Sequence, residues 1–254
     1  MVNWVGLYTL CRREVERTIR VATQTLVTPW ISALLYIFIF GEVVGRRIDT
    51  IAGATYIDFV LPGILMMNVI TAAFTHSSSS LHFQRFVRHI EEVLVAPFSH
   101  VEMILGFVIG GVLRAVLVGG GVFIIALFFS AATVEHLLLF LFYIISVAIV
   151  FALLGVLAGL WAQSFEQLSV MNTFVIMPFT FLGGVFYSIH MLPEKLQVVA
   201  YFNPFFYFID GIRYSMIGIR ESNATVGFVV IFTMMISLAI FVEYLFKKGW
   251  RLRG

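Results

Sequence analysis

The residue types best suited to nucleophilic catalysis lie together in one polar stretch of the chain. Four consecutive serines, Ser77 to Ser80, are flanked by His76 and His82, which places candidate nucleophiles beside candidate bases. An intramembrane hydrolase needs its nucleophile and its base in one span. This stretch reads as a polar loop and contains no G-x-S-x-G signature, so the sequence argues against hydrolysis.

Metal binding is the second chemistry that this region could support. Four of the six histidines cluster here, at separations of six, seven and eleven residues: His76, His82, His89 and His100. These separations match no compact zinc motif. The one cysteine, Cys11, cannot form a disulfide within the chain. We expect no metal site and no directly bound cofactor.

A phosphate-binding loop is also missing from the sequence. A P-loop requires a Gly-Lys step, and the three lysines, Lys195, Lys247 and Lys248, never follow a glycine. The net charge of +2 gives no basis for nucleic-acid binding as the main activity. We therefore expect that the chain does not bind ATP through this motif and has no nucleic-acid partner.

The composition shows whether these side chains belong to a water-soluble protein or to a membrane protein. Of the 254 residues, 61% are apolar and 12% are charged, and the mean hydropathy is +1.01. Soluble domains contain about 45 to 50% apolar and about 25% charged residues. The sequence therefore excludes a water-soluble globule and predicts a single all-α integral membrane domain over residues 1–254.

Six apolar runs are long enough to cross a bilayer, which needs about 20 residues per helix. They cover approximately residues 26–44, 57–75, 101–129, 137–162, 168–187 and 226–246. Ser99 and Glu102 have the S-x-x-E spacing of a capping box, which marks the start of the third span. The fifth run contains Pro178 and Gly183-Gly184, so we expect a break in that helix.

Two further apolar segments are unsuited to crossing. The first, residues 1–25, has apolar residues at spacings of three and four: Trp4, Leu7, Tyr8, Cys11, Val15, Ile19 and Ala22. This pattern predicts an amphipathic helix in the membrane interface. The second, residues 188–224, is interrupted by Pro193, Glu194, Lys195, Asn203, Pro204, Asp210 and Arg213. Two short re-entrant helices fit this segment better than another span.

Basic residues predict the orientation, because they concentrate in cytoplasmic loops. The N-terminal segment, the 76–99 loop and the C-terminal tail together contain ten arginines and lysines. The opposite loops contain five: Arg46, Arg47, Lys195, Arg213 and Arg220. We therefore expect both termini in the cytoplasm and the 188–224 segment outside.

The predicted cytoplasmic loop of residues 76–99 contains an amphipathic helix. Its apolar face holds Phe83, Phe86, Val87, Ile90, Val93 and Leu94. Its other face holds Arg85, Arg88, His89, Glu91 and Glu92. One interpretation is a helix that is solvated or skims the membrane, and the other is a docking helix for a cytoplasmic partner.

Arg114 is the one formal charge deep inside a predicted span. Such a charge is expensive in lipid and is functional by default. A structural partner, or a side chain that snorkels to the membrane surface, is an equal alternative. The sequence identifies no partner for it.

Glycine and aromatic patterns allow two readings each. Two glycine pairs at a spacing of four favour close helix packing over a ligand path: Gly106 with Gly110, and Gly155 with Gly159. The aromatic run from Tyr201 to Tyr214 favours a belt at the membrane interface, and a substrate exit is the alternative.

Four segments, taken in their order along the chain, resemble the membrane permeases of type-2 ABC exporters. They are Leu61-Pro-Gly-Ile-Leu-Met-Met67, Glu91-Glu-Val-Leu-Val-Ala-Pro97, Phe181-Leu-Gly-Gly-Val-Phe-Tyr-Ser188 and Asn203-Pro-Phe-Phe-Tyr-Phe-Ile-Asp-Gly-Ile-Arg-Tyr214. The N-terminal amphipathic helix and the six spans make this order more specific than any single segment. The family includes exporters of small molecules, nodulation factors and polysaccharides.

The resemblance implies a half-transporter of the bacterial inner membrane. Two copies would work as a homodimer with two separate P-loop ATPase subunits, which would bind ATP and Mg²⁺. It implies that residues of the 76–99 loop couple to the ATPase: Phe83, Arg85, Phe86, Arg88, Glu91 and Glu92. It also implies gating by the paired short helices, with candidate residues Pro178, Gly183, Gly184, Asn203, Pro204, Asp210 and Arg213.

One departure and several alternatives accompany this resemblance. Gly183-Gly184 stands where many family members have Ser-Gly, so a role of that serine does not carry over. Export of a lipid-linked polysaccharide is the alternative within transport. An ion-coupled carrier or a structural membrane protein is the alternative outside it, although neither midplane carboxylates nor a repeat is seen. Membrane lipids are expected partners, and the substrate cannot be read from the sequence.

Overall fold

The computed structural model describes residues 3–45, 47, 50–129 and 133–252, except for the side chain of Glu42. Within these ranges, five helices are long and apolar enough to cross a membrane: Thr23–Gly41, Tyr56–Phe86, His100–Phe129, Leu137–Trp161 and Ala224–Lys248. The all-α membrane architecture is confirmed at this level. Arg46 and Arg253, two of the basic residues that predict the orientation, lie outside the described residues.

The helices follow one another with short connections. The first half contains α1 (Trp4–Arg20), α2 (Thr28–Phe38), α3 (Tyr56–Phe86), α4 (His89–Val95) and α5 (His100–Phe129). The second half contains α6 (Leu137–Trp161), α7 (Phe165–Met171), α8 (Met177–Leu182), α9 (Glu194–Phe202), α10 (Pro204–Ile217) and α11 (Ala224–Lys248). π-Helical turns flank α2 at Thr23–Val27 and Ile39–Val44 and join α7 to α8 at Asn172–Ile176, and Ile189–Met191 forms a 3₁₀ turn. Antiparallel β1 (Thr50–Ile51) and β2 (Ala54–Thr55) precede α3.

The central helix is α3, which packs against α5, α6 and α10. Between Phe59 and Phe74 nearly all of its side chains are buried. A helix that is apolar on every side is stable only where other helices surround it. The Leu61-Pro-Gly63 stretch of α3, which we call the LPG segment, is therefore part of the core of the bundle.

The two glycine pairs lie at close helix contacts, as the sequence predicts. A Cβ atom at Gly106 would lie 3.2 Å from the Cβ of Leu10, and one at Gly110 would lie 2.8 Å from the Cβ of Glu14. A Cβ atom at Gly155 would lie 2.6 Å from the carbonyl oxygen of Phe74 in α3. The glycines thus let α1 approach α5, and α3 approach α6, almost to backbone contact.

The capping box at the start of α5 is confirmed. The backbone amide of Glu102 donates to the hydroxyl oxygen of Ser99 at 3.2 Å, and the amide of Ser99 donates to the carboxylate of Glu102 at 2.7 Å. The backbone amide of Asn3 donates to the same carboxylate at 2.5 Å. Glu102 therefore also holds the N-terminal segment against α5.

The prediction of a polar loop over residues 76–99 is wrong. α3 continues to Phe86, and the polar side chains of His76, Ser77, Ser80 and Gln84 are buried. Because these side chains bind other helices, their polarity does not indicate contact with water. The helix then ends at a tight turn in which Arg88 has φ 59°, and the separate helix α4 follows.

The prediction of one continuous amphipathic helix in this loop is also wrong, because its residues are divided between the end of α3 and α4. Ile90 and Val93 are buried, whereas Phe83, Phe86 and Val87 are exposed. The turn between α3 and α4 rotates the two halves of the predicted helix relative to each other. A single helical wheel therefore does not describe them.

The break within the fifth apolar run is confirmed. Helical turns run from Phe165 to Leu182, and a π-helical segment lies just before Pro178. The helix ends at Gly183, and Gly184 has φ 81°, a conformation that favours glycine. Two short helices, α9 and α10, follow in place of one long helix.

The aromatic run is not a simple interface belt. Phe205, Phe206 and Phe208 are buried in the protein, whereas Phe202 is exposed. The belt prediction is therefore wrong for these three residues, because α10 packs on α3 and α6 and uses its aromatic side chains as core.

Both ends of the described chain lie at the same end of the bundle. One apolar cluster joins the two ends to the helices around them: Leu10, Ile90, Met103, Leu160, Phe246 and Leu252. We call this the α4 end. At the opposite end, which we call the α10 end, the backbone amide of His136 donates to the carbonyl of Ser215 at the start of α6.

Candidate functional site

At the α4 end, α4 presents charged and apolar side chains on an anchored support. Ile90 and Val93 are buried in the apolar cluster of that end. Glu91 and Glu92 are exposed, and Glu92 Oε2 lies 3.5 Å from Nδ1 of His89. We call the exposed residues Phe86, Arg88, Glu91, Glu92 and Val95 the α4 surface.

The α4 surface is unusual for the end of a bundle because it mixes acidic side chains with large apolar ones. Phe86 is 71% exposed, Glu92 79% and Val95 88%. Exposed apolar groups beside charges at such a place are typical of a surface that binds a partner. Phe83 is also exposed nearby, with the guanidinium carbon of Arg17 5.7 Å from its ring centre.

Arg85 has a different environment from the other predicted coupling residues. One of its terminal nitrogens donates to the carbonyl oxygens of Gly159, Leu160 and Ala162 at 2.7, 3.0 and 3.2 Å. These are carbonyls at the C-terminus of α6, which have no partner within the helix. Arg85 therefore ties the end of α3 to the end of α6, and its coupling role stays a prediction.

A buried polar cluster that the sequence did not predict lies beside the α4 end. The carboxylate of Glu14 accepts hydrogen bonds from Ser80 Oγ at 2.7 Å and Gln84 Nε2 at 3.2 Å, and His76 Nε2 lies 3.1 Å away. Burial opposes ionisation of Glu14, but the hydrogen bonds from His76 and Ser80 outweigh it and lower the pKa of this carboxyl. The spacing of four between His76, Ser80 and Gln84 is the signal that could have revealed a polar helix face.

At the α10 end, the structure brings the predicted gate residues together. Arg213 is completely buried, and it donates from Nε to the carbonyl of Phe59 at 3.3 Å and from a terminal nitrogen to the carbonyl of Gly184 at 2.5 Å. Its guanidinium carbon lies 3.9 Å from the ring centre of Phe59. This side chain therefore joins α10 to α3 and to the break after α8.

Asp210 holds the segment that follows α10. Its carboxylate accepts hydrogen bonds from the backbone amides of Glu221 and Ser222 at 2.8 and 3.0 Å, and from the Ser222 hydroxyl at 2.5 Å. Arg213, one turn away on the same helix, forms no ion pair with it within 4 Å. The two charges thus fix two different connections.

The remaining gate candidates shape the turns around α10. The side-chain oxygen of Asn203 accepts a hydrogen bond from the backbone amide of Phe205 and so caps this helix. Its Nδ2 donates to the carbonyl of Phe179 at 2.6 Å, and Pro204 is the first residue of the helix. A Cβ atom at Gly183 would lie 2.8 Å from Cδ1 of Ile209. The break at Gly183-Gly184 and helix α10 are therefore packed as one unit, and Pro178 lies about one turn before the break.

Close contact also joins this unit to the LPG segment of α3. A Cβ atom at Gly63 would lie 2.8 Å from the carbonyl oxygen of Val185. Three of the four segments that carry the family resemblance thus meet at the α10 end, and the fourth contains α4. Within the described ranges, no three His, Cys, Asp or Glu side chains are grouped closely enough to hold a metal ion.

Comparisons with known proteins give consistent results. The sequence model of the family described as ABC-2 type transporter matches residues 6–217. The chain is 38% identical over 251 residues to "Inner membrane transport permease YadH" of Escherichia coli strain K12, across 99% of this chain and 98% of that protein. It is 27% identical over 219 residues to "Nodulation protein J" of Rhizobium leguminosarum bv. trifolii, across 85% of this chain and 82% of that protein.

Proposed function

The chain belongs to the ABC-2 type transporter family, and we propose that it is the permease subunit of an exporter driven by separate ATPase subunits. It is a multi-pass inner-membrane permease of an ABC transporter. The finer assignment concerns direction of transport, assembly and topology. In this assignment the chain forms the substrate pathway as a homodimer, and ATP and Mg²⁺ bind to the partner subunits.

Six crossings of the membrane are part of this proposal. Besides the five candidate spans, the helical turns from Phe165 to Leu182 cover 18 residues, or about 27 Å at about 1.5 Å per residue. That length approaches the bilayer core of about 30 Å. An even number of crossings is supported by the apolar cluster that places both chain ends at the α4 end. The excess of basic residues on that side supports a cytoplasmic location for it.

The observation that carries the proposal is the α4 surface. Two exposed glutamates and the exposed Val95 stand on α4, which Ile90 and Val93 anchor in the protein. The exposed Phe86 lies at the end of α3, just before α4. Charge complementarity at such a surface selects a partner, and the apolar groups supply contact area. A cytoplasmic ATPase with basic groups around an apolar pocket fits this surface. Movement of α4 would pass directly to α3, which lies at the centre of the bundle.

The two short helices at the α10 end have the complementary role. Arg213 and Asp210 hold α10 to α3 and to the backbone around residues 184, 221 and 222. We assign this packed unit to the outer gate, which would move with the first half of α3. A shift at the α4 end would then change the exit for the substrate through one continuous helix.

The test is co-expression with a candidate P-loop ATPase subunit from the same genome. We expect the two proteins to purify together and to hydrolyse ATP, whereas the homogeneous permease hydrolyses none because it lacks a P-loop. A partner carrying a substituted P-loop lysine serves as the control and should assemble without activity. Hydrolysis by the permease alone would contradict the assignment.

A further inference from the structure

Arg114 is a cation within a candidate membrane span, and the described residues provide no counter-charge for it. Its side chain is half-buried on α5, and its Nε atom is buried without a hydrogen-bond partner. No carboxylate of the described residues lies within 4 Å of its guanidinium nitrogens. An unpaired guanidinium beside lipid is costly, so this position calls for an anion.

The packing of α1 on α5 places Arg17 beside Arg114. Gly106 faces Leu10 and Gly110 faces Glu14, so the two helices run alongside each other with equal steps of four residues. One further step brings Arg114 to the level of Thr18, next to Arg17. Arg17 is close enough to repel Arg114 electrostatically.

The nearest carboxylate cannot balance these charges. Glu14 is already bound by His76, Ser80 and Gln84 of α3. Its oxygens also lie 3.8 Å from a terminal nitrogen of Arg13 and 3.9 Å from one of Arg17. Arg13 and Arg17 thus share this one carboxylate and Arg114 adds a third cation, so two positive charges are left unbalanced when His76 is counted as neutral.

The lengths of the helices give the depth of this cluster. α5 has 30 residues and is about 45 Å long, which exceeds the bilayer core of about 30 Å by about 15 Å. If this excess projects at the α4 end, Gly110 lies at the edge of the hydrocarbon and Arg114 about 6 Å deeper. An arginine side chain spans that distance and brings its guanidinium to the edge of the hydrocarbon, directly below the lipid headgroups.

We propose that Arg17 and Arg114 bind the phosphate of an anionic phospholipid from the cytoplasmic leaflet. The proposal rests on the membrane placement of α1 and α5 in the proposed function. Guanidinium groups bind phosphate through paired hydrogen bonds.

A lipid bound here would have a structural consequence for the permease. It would bridge α1 and α5 at the point where Glu14 joins α1 to α3. The bridge would hold α1 against the two helices that flank α4. Membranes rich in anionic lipid would therefore favour the packed position of α1.

The experiment measures lipid binding to the purified full-length permease in detergent by native mass spectrometry. The permease is titrated with phosphatidylglycerol, and R17Q and R114Q are compared with R12Q. Arg12 is the matched control, because it is exposed on the same helix and pairs with Glu16 at 2.7 Å. We expect R17Q and R114Q each to weaken binding about fivefold, and R12Q to leave it unchanged.

The outcomes separate the sources of the anion. Inorganic phosphate and neutral diacylglycerol are tested alone, and binding of phosphate as tight as that of phosphatidylglycerol would overturn the lipid assignment. Equal weakening in all three variants, or in none, would overturn the site. If R114Q does not fold, the binding measured for R17Q tests the site by itself. R17Q should fold, because Arg17 lies 3.9 Å from Glu14 and its side chain is partly exposed. No ATPase is present, so failure of the proposed function does not alter the result.

Discussion

At the scale of single residues, Glu14 shows why buried charges are hard to predict. Its three hydrogen-bonding partners lie 62 to 70 positions away in the sequence, on one face of α3. The sequence predicts α1 as a helix and Glu14 as a residue of its charged side. It does not predict that α3 continues past Thr75, because hydropathy treats buried and solvated polar side chains alike.

Removing the charge of Glu14 should destabilise the permease. We expect E14Q to cost about 1.5 to 3 kcal/mol, because the hydrogen bonds to an ionised group are lost and donors stay buried. E16Q is the control, since Glu16 is exposed and pairs with Arg12 on the surface. Thermal unfolding in detergent should show a melting temperature several degrees lower for E14Q only.

The same pair of proteins tests the ionisation of Glu14. Because its pKa is lowered in the folded protein, its stabilising contribution is present above the ordinary pKa of about 4.5 and is lost as the pH falls through the folded value. The difference in stability between wild type and E14Q should therefore narrow below about pH 4.5. A difference that grows on acidification would contradict the ionised assignment.

At the scale of helices and turns, hydropathy predicts the five helices that are long and apolar enough to cross a membrane. The capping box at Ser99 and the break at Gly183-Gly184 lie where the sequence places them. The separation of α3 from α4 is not predicted, because it depends on a left-handed backbone conformation at Arg88 that the residue type does not indicate. The burial of the aromatic residues of α10 is not predicted either, because aromatic side chains are common both at the membrane interface and in a protein core.

The contact between α3 and α6 should depend on the absence of a side chain at Gly155. A Cβ atom there would lie 2.6 Å from the carbonyl oxygen of Phe74, so G155A must push the helices apart. We expect a loss of about 1 to 3 kcal/mol in the free energy of unfolding. Gly120 is the control, because nothing lies within 4 Å of its Cβ position and alanine favours the helix. Equal stability of G155A and G120A would mean that this contact is loose.

At the scale of the whole molecule, an even number of predicted spans places both chain ends at the same end of the bundle. The sequence predicts six spans, and the structure joins both chain ends in one apolar cluster. The family follows from the order of four segments along the chain, and three of these meet in space at the α10 end. The buried cluster at Glu14 and the anchoring of Arg85 depend on long-range packing, which no local pattern contains.

Labelling of single cysteines should establish the side on which each end lies. In a C11S background, E194C should react with an impermeant maleimide added outside intact cells, because Glu194 is exposed on α9 at the α10 end. E92C on α4 should react only after the membrane is opened. Reaction of E194C from the cytoplasm alone would overturn the orientation.

The affinity of the ATPase subunit for the permease tests the central claim most directly. E91K/E92K reverses two exposed charges on α4, and exposed charges contribute only about 0 to 1 kcal/mol to stability, so insertion and melting temperature should be unchanged. Repulsion at a docked interface can cost several kcal/mol, so we expect binding of the ATPase to fall more than about a hundredfold, with loss of transport. E16K, an exposed reversal on α1, should bind normally. Unchanged binding by folded E91K/E92K would contradict the account.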